Sequence, residues 1–525
     1  MDLQNEDAIT EKRSHEADAR SIEELVKERV RNEQASQEKP EKSPITPASI
    51  EQCLFRNELG DGELYAELHR GRHIYNVNEK EYFTWDGHNW KRDILGNALN
   101  GVEAVSEEYL LLASHLEAKL KKVIKGEEPG NEESLQNKID AAYKRVKKLR
   151  SLKGRNACLE FASTGVDSLA VDGAKFDSDP WLLGCENGVT DLQTGVFGNG
   201  RAEDMITKHS PVVFKGLDEP APLWEKTLLE IFNDDKDLVS FIQRLLGYCI
   251  TGSTKAQVFA VFYGVGRNGK TLIVDTLMHV MGPLAAPIPS EMLLDQTRRA
   301  SGGPSPDIMA LKGLRLAVAS ESDEGRRFSP SRVKWLTGRD ELAGRNPHDK
   351  RFTYFKPTHK LILLTNDKPQ APAMDFAFWE RVILVPFTQS FVDRELRESH
   401  EHRADPDLFE KLKREAAGIL AWLVWGCLEW QARGLDPPRS VTEATSEYRR
   451  DEDLIGDFVE ECCIIEPGAT GRAGDLFERF EEWYLSNVGK KVPSQHWLGK
   501  QLRKRFEKVR HNGRVVYKGV DVIPR

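Results

Sequence analysis

The sequence has few cysteines and no arrangement of them that binds metal. The seven, at positions 53, 158, 185, 249, 427, 462 and 463, form no CxxC pair and no His/Cys cluster at ligand spacing. That excludes a zinc-ribbon or disulfide scaffold and reads as reduced thiols in a cytosol-like compartment. Long apolar runs are missing as well. The richest, GILAWLVWGCLEW, is too short for a bilayer span and predicts a buried helix. The start, MDLQNEDAITEKRSHEADAR, is acidic and has no apolar h-region, so no signal peptide is expected in it. These absences predict a soluble cytoplasmic protein with no membrane partner. Positive charge is not in excess either, with 84 acidic residues against 75 basic ones and a net charge of -9. A protein that coats nucleic acid uniformly is therefore excluded, although a local basic site is not. No internal repeat is visible.

A chain of 525 residues exceeds one ordinary core and predicts two to four domains of roughly 100–200 residues each. Residues 1–50 lack any aromatic residue, are crowded with Glu, Lys, Arg and Gln, and end in EKPEKSPITPAS, which predicts a disordered charged tail. HIYNVNEKEYFTWDGHNWKRD, broken by NEK and DGH, predicts a small antiparallel meander. EAVSEEYLLLASHLEAKLKKVI and LQNKIDAAYKRVKKLRSL, separated by the loop KGEEPGNEES, predict an αα-hairpin. WLLGCENGVTDLQTGVF returns to short strands. FKGLDEPAPL, residues 214–223, is a Pro-containing linker before a helical region, and LDPPRS and EPGATGRAG mark further boundaries.

The most informative stretch is VFAVFYGVGRNGKT. An unbroken apolar run is followed by Gly264, Val265, Gly266, Arg267, Asn268, Gly269, Lys270, Thr271 and then a helical pattern. This satisfies G-x-x-x-x-G-K-[ST] in a strand–loop–helix context. Glycines turn backbone N–H groups onto phosphate oxygens, and the helix N-terminus adds its positive end. Lys270 is placed to reach the β- and γ-phosphates, and the Thr271 hydroxyl to ligate Mg²⁺. Such a loop needs a second strand ending in a carboxylate. LRLAVASESDEG supplies it, with Glu321 at the tip and Asp323 and Glu324 just after. A third strand, KLILLTNDKP, ends on Asn366, an amide able to orient a water or a γ-phosphate. A fourth, VILVPF, follows FWERV, which sets Arg381 just ahead of it.

Taken in order, YGVGRNGKT, LKGLRLAVASESDEG, VKWLTGRDELAGR, FKPTHKLILLTNDKP and DFAFWERVILVPF resemble the superfamily-3 helicases, most closely the phage and plasmid primase-helicase branch related to the poxvirus primase-helicase. The resemblance is tight over about residues 180–390, and WDGHNWKRD and WLLGCENGVTDLQTG look like that branch's amino-terminal helicase-associated domain. It implies an AAA-like P-loop ring, a homo-hexamer, hydrolysing ATP with Mg²⁺ while moving 3′ to 5′ along one DNA strand. Lys270 and Thr271 then take the Walker A roles, together with the loop residues Gly264, Gly266, Asn268 and Gly269. Glu321 takes the Walker B and metal role, Asn366 the sensor role, and Arg381 the role of a finger reaching a neighbour's γ-phosphate. Two positions depart from the pattern: Ser322 stands where a second acidic residue is common, and Glu380 where a second Arg is common. ELAGRNPHDKRFTYF reads as two short strands around NPHD. The corresponding hairpin of these helicases points into the ring's pore, so His348, Lys350 and Arg351 become candidate DNA contacts, with Lys334 of VKWLTG a further one.

The carboxy-terminal segment predicts two helices and a VR-HNG-RVVYKGV hairpin, a winged-helix arrangement. From Lys490 to Arg525 there are eleven Lys or Arg against only Glu507 and Asp521. Lys500, Arg503, Lys504 and Arg514 are its candidate phosphate contacts. The expected architecture is an α/β AAA-like P-loop NTPase core at 216–435, an α+β helicase-associated domain at 51–215 and a winged helix at 450–525. The expected function is ATP-dependent unwinding of single-stranded and forked duplex DNA in replication of a phage, prophage or plasmid-like element. The roughly 50 residues ahead of the first folded region are too few for a primase domain, so any primase or other replication protein is expected as a separate partner. The rival reading is an ATP-dependent assembly switch on DNA without strand separation. A small-molecule kinase is a weaker third, since no acceptor site is evident.

Overall fold

The computed structural model describes residues 45–295, 304–321, 326–347, 351–489, 492–511 and 514–524. The chain divides into two compact units at Glu219/Pro220, inside the Pro-containing stretch FKGLDEPAPL.

The first unit is built on helices. The described chain starts with a helix at Pro47–Phe55, opened by a capping box between Thr46 and Ser49. Its Ile50 and Leu54 enter the apolar core. The disordered tail expected to residue 50 is therefore too long at its end, because TPAS is a cap followed by proline at the first helical position, a start signal and not a linker. Residues 1–44 lie outside the described residues. The expected αα-hairpin is present as Asn97–Ile124 and Glu132–Leu149. The meander is present as His73–Asn76, Glu81–Trp85 and Trp90–Arg92, and it gains a parallel strand, Ala170–Val171. Leu182–Cys185, Gly188–Asp191 and Phe197–Gly198 form a separate antiparallel sheet.

A charged cluster sits inside the helical core. Asp61, only 2% exposed, accepts a hydrogen bond from the Tyr109 hydroxyl at 3.0 Å and faces the Arg145 guanidinium at 3.4 Å. Desolvation outweighs both partners and pushes the carboxyl up to about 6 from 3.8. The folded state thus holds the proton more tightly than the unfolded chain. The resulting stability is fully present below pH 4 and is lost as pH rises to 6, on the order of 2–3 kcal/mol. Chemical denaturation of wild type and Asp61→Asn across pH 4–7 checks this: the wild-type decline should be absent in the variant.

The second unit is organised by a five-stranded sheet, all neighbours parallel: β1 Phe259–Tyr263, β2 Ala285–Ile288, β3 Leu316–Glu321, β4 Lys360–Thr365 and β5 Val382–Pro386. Their order is β5-β1-β4-β3-β2. The central strands are apolar runs because helices cover both faces of a parallel sheet. GILAWLVWGCLEW lies within helix Ala416–Arg433, whose residues from Gly418 to Val424 are buried. Among the described residues no helix is long and apolar enough to cross a membrane. LDPPRS, expected as a boundary, leads into helix Arg439–Asp451. That helix belongs to the sheet's own core, since Tyr448 packs edge-on against Trp379 and Thr445 accepts from the Leu384 amide of β5.

Beyond it, helices Leu454–Cys462, Ala473–Asn487 and Gln495–Leu502 pack with a three-stranded antiparallel sheet ordered Thr470–Arg472, Arg514–Lys518, Glu507–His511. Phe458, Phe480, Leu498 and Tyr517 fill that small core.

Candidate functional site

β1 delivers the chain to the glycine loop, and the helix Lys270–Met281 leaves it. Two glycines there are fixed by their surroundings. A Cβ on Gly264 would lie 2.3 Å from the Phe387 carbonyl oxygen. Gly269 has φ +89°, and a Cβ on it would lie 2.5 Å from Ile231 Cδ1. The loop is therefore pressed between the end of β5 and the helix Pro222–Ile231. That helix is capped from far away in sequence: the Glu415 carboxylate accepts from the backbone amides of Leu223 and Trp224 at 3.0 Å.

Lys270 is buried, and its ammonium donates to the Gly264 carbonyl, to Asn268 Oδ1 at 3.0 Å and to Asn366 Oδ1 at 3.1 Å. Burial pushes this amine down to about 8 from 10.5. Asn268, 3% exposed, donates through Nδ2 to the Phe387 carbonyl at 3.4 Å. Its side chain thus holds both the lysine head and the strand behind the loop.

Strand register aligns the remaining groups. Glu321 pairs with Thr365, and Thr365 with Tyr263, so the carboxyl ends of β3, β4 and β1 lie level and adjacent. Neighbouring strands are about 4.8 Å apart, which brings Glu321, Asn366 and the start of the glycine loop to one sheet edge. Glu321 is 6% exposed and lies 3.7 Å from Arg326, whose other nitrogen is 3.8 Å from Glu291. Asp323 and Glu324 lie outside the described residues.

Gly266, Asn268, Gly269, Lys270, Thr271, Glu321 and Asn366 line one cleft of about 670 Å³. Among the described residues no cluster of three or more His, Cys, Asp or Glu could hold a metal alone. Mg²⁺ typically takes one or two protein ligands and completes its shell with phosphate and water. Thr271, with its hydroxyl, and Glu321, with its carboxylate, both line this cleft and fit that demand.

Half of the cleft went unseen in the sequence. Its apolar wall is Ile231, Phe391, Pro406, Leu408 and Phe409. Most of it comes from a segment after β5 in which Ser390–Val392 pairs in parallel with Glu401–Arg403. A parallel pair normally needs a crossover of a dozen residues or more, and here only eight intervene. Glu401 closes the short loop by accepting from Arg394 and from the Arg397 amide at 2.7 Å, which holds its carboxyl down at about 2. The signal in sequence is slight: one acid nine residues after a hydrophobic strand end.

The remaining candidates lie elsewhere. Arg381 precedes β5, and its carbonyl accepts from the Phe259 amide at 2.7 Å. It therefore stands at the amino-terminal edge of the sheet, opposite the cleft. Lys334 is ion-paired with Asp375 at 2.9 Å. The hairpin strands are Leu342–Gly344 and Thr353–Phe355, with Arg351 exposed between them, while His348 and Lys350 lie outside the described residues. Lys500, Arg503, Lys504 and Arg514 are all exposed, on or just after helix Gln495–Leu502 and at the start of strand Arg514–Lys518.

Residues 62–233 match the family described as D5 N terminal like. The chain is 29% identical over 345 residues to "Putative helicase L207/L206" of Acanthamoeba polyphaga mimivirus, covering 63% of this chain and 36% of that protein. It is 26% identical over 386 residues to "Putative helicase 022R" of Frog virus 3, covering 60% and 40%. It is also 26% identical over 271 residues to "Uncoating factor OPG117" of Monkeypox virus, covering 48% and 33%. The chain is a relative of the D5-like primase-helicases of superfamily 3. It spans well under half the length of these D5-like relatives. A solved structure, the apo NrS-1 C terminal region (305-718), aligns over 88% of this chain and 99% of its own at 13% identity, with a TM-score of 0.45, too loose a likeness to inform the fold.

Proposed function

We propose that this D5-like chain is an ATP-hydrolysing DNA helicase acting in replication of a phage, prophage or plasmid-like element. One observation carries the reading: Lys270, Thr271, Glu321 and Asn366 converge in one cleft at the carboxyl ends of three adjacent parallel strands. Open α/β sheets bind ligands at that edge, and this residue set suits a magnesium-bound triphosphate. Thr271 and Glu321 would hold the ion, which when bound would supply positive charge to offset that of the phosphates. Lys270 would exchange its contacts on Gly264, Asn268 and Asn366 for phosphate oxygens, and a negative ligand restores the full charge that burial has weakened. Glu321 holds the ion or orients water, and Asn366 sits beside the lysine where the terminal phosphate arrives. This is the P-loop NTPase core of an AAA-like motor.

Arg381 cannot serve its own cleft from the far edge of the sheet, so it serves a second copy in a ring, with six as the expected number. The exposed Arg351 of the hairpin segment and the exposed Lys500, Arg503, Lys504 and Arg514 of a winged helix supply sequence-tolerant phosphate contacts to DNA, with His348 and Lys350 as further candidates from the sequence. Lys334, already paired with Asp375, is a weaker contributor. The name of the mimivirus relative, a helicase, supports the same reading.

The deciding measurement is ATP hydrolysis with and without single-stranded DNA, beside unwinding of a forked duplex. Hydrolysis stimulated several-fold by DNA, with strand separation, is the expected result. Hydrolysis indifferent to DNA without unwinding would replace the motor by an ATP-dependent assembly switch.

A further inference from the structure

The cleft is larger than a polyphosphate requires, and a third of its lining residues come from the segment 390–409. This strap is fastened directly to the glycine loop. The Phe391 amide donates to the Arg267 carbonyl at 2.7 Å, and the Arg267 guanidinium faces Asp393 at 3.4 Å. Arg267 has φ +60°, a left-handed conformation that a non-glycine residue adopts only at a cost. The backbone attachment is open to any residue, and the ion pair with Asp393 is the one that uses the arginine side chain. At the strap's other end Phe409 meets His279 of the loop's own helix at 6.5 Å, edge to face, and lies under the Lys413 ammonium at 4.5 Å. The Phe391 ring stacks on His402 at 5.3 Å with 26° between planes, which fixes its orientation in the cleft wall.

We propose that this strap is the nucleobase site, with Phe391 and Phe409 as the base-contact residues. Two half-buried aromatic rings line the same cleft as Lys270, together with the apolar residues Ile231, Pro406 and Leu408. A planar heteroaromatic base is the ligand chemistry that such a wall takes, through stacking and burial. The proposal rests on the phosphate-site reading given above and adds what the sequence motif leaves unassigned. It also gives Arg267 a role apart from phosphate: it positions the strap against the loop, so base and phosphates are read by one connected element.

The test compares two ligands on the full chain by titration calorimetry: Mg-ATP, and inorganic tripolyphosphate, which has the phosphates and no base. Base stacking is worth about a tenfold change in affinity or more per aromatic. Phe391→Ala and Phe409→Ala should each weaken ATP about tenfold and leave tripolyphosphate within about twofold. Phe391→Tyr keeps the ring and should restore ATP affinity. If both ligands weaken together, the strap acts only by shaping the loop and the proposal is overturned. If neither changes, the base lies elsewhere. Wild type binding neither ligand would instead remove the phosphate site itself, an outcome distinct from the other two.

Discussion

Lys270→Ala should reduce ATP hydrolysis by on the order of 10²–10³-fold or more, the scale of losing one preorganised charge contact to a transition state. The variant should stay folded. Lys270 is buried, yet its three partners are the Gly264 carbonyl and the side-chain oxygens of Asn268 and Asn366, at the open edge of the sheet where water can replace the ammonium. Protonation offers a second readout with a definite sign. Burial holds the free amine near 8, whereas a triphosphate beside it favours the charged form. Nucleotide binding should therefore take up a fraction of a proton around pH 8, and affinity should fall as pH rises through that value. Calorimetry in two buffers of different protonation heat measures the uptake, which should vanish in Lys270→Ala. Uptake that persists in the variant would assign the proton to another group.

Arg381→Ala should lose hydrolysis on a comparable or larger scale, about 10³-fold for a finger supplied by another subunit, while nucleotide binding stays near wild type. The geometry makes this separation sharp. Val382 pairs with Phe259 and Pro386 with Tyr263, so the arginine and the glycine loop are divided by the full length of β1. At about 3.3 Å per residue that is roughly 15 Å, beyond the reach of one side chain. Mixing inactive Arg381→Ala with inactive Lys270→Ala should restore part of the activity, since an intact cleft can then meet an intact arginine. Mixtures that stay dead at every ratio would refute a finger acting between copies. Hydrolysis by Arg381→Ala alone at the wild-type rate would leave Arg381 a structural residue.

What could be read without coordinates was what is written locally. VFAVFYGVGRNGKT carries strand, loop and helix in consecutive residues, and Glu321 and Asn366 stand at the ends of apolar runs whose limits are evident. The αα-hairpin and the meander were likewise visible from their periods of 3.6 and 2. The base wall was not, because Ile231 and Phe409 come from segments with no shared period, and the strap is a parallel ribbon whose connection is shorter than such pairs normally need. The start of the first helix is ambiguous in sequence for a different reason. Thr46 and Pro47 are frequent both in linkers and at helix openings, and only burial of Ile50 and Leu54 tells them apart. Helix Arg439–Asp451 was hidden by the prolines ahead of it, although Tyr448 is fully buried in the sheet's core.

The helix Pro222–Ile231 has a bearing on how a mutational map of this protein would look. Glu415 seizes its first amides, and its last residue stands where any side chain at position 269 would collide. The rod thus links Glu415 to the glycine loop over about 15 Å. Positions 231, 269 and 415, scattered along nearly two hundred residues of sequence, should sort into one phenotypic class. A geneticist who recovered a lesion at 415 from a screen for weak nucleotide users would be looking at a lost helix cap, not at a residue lining the cleft.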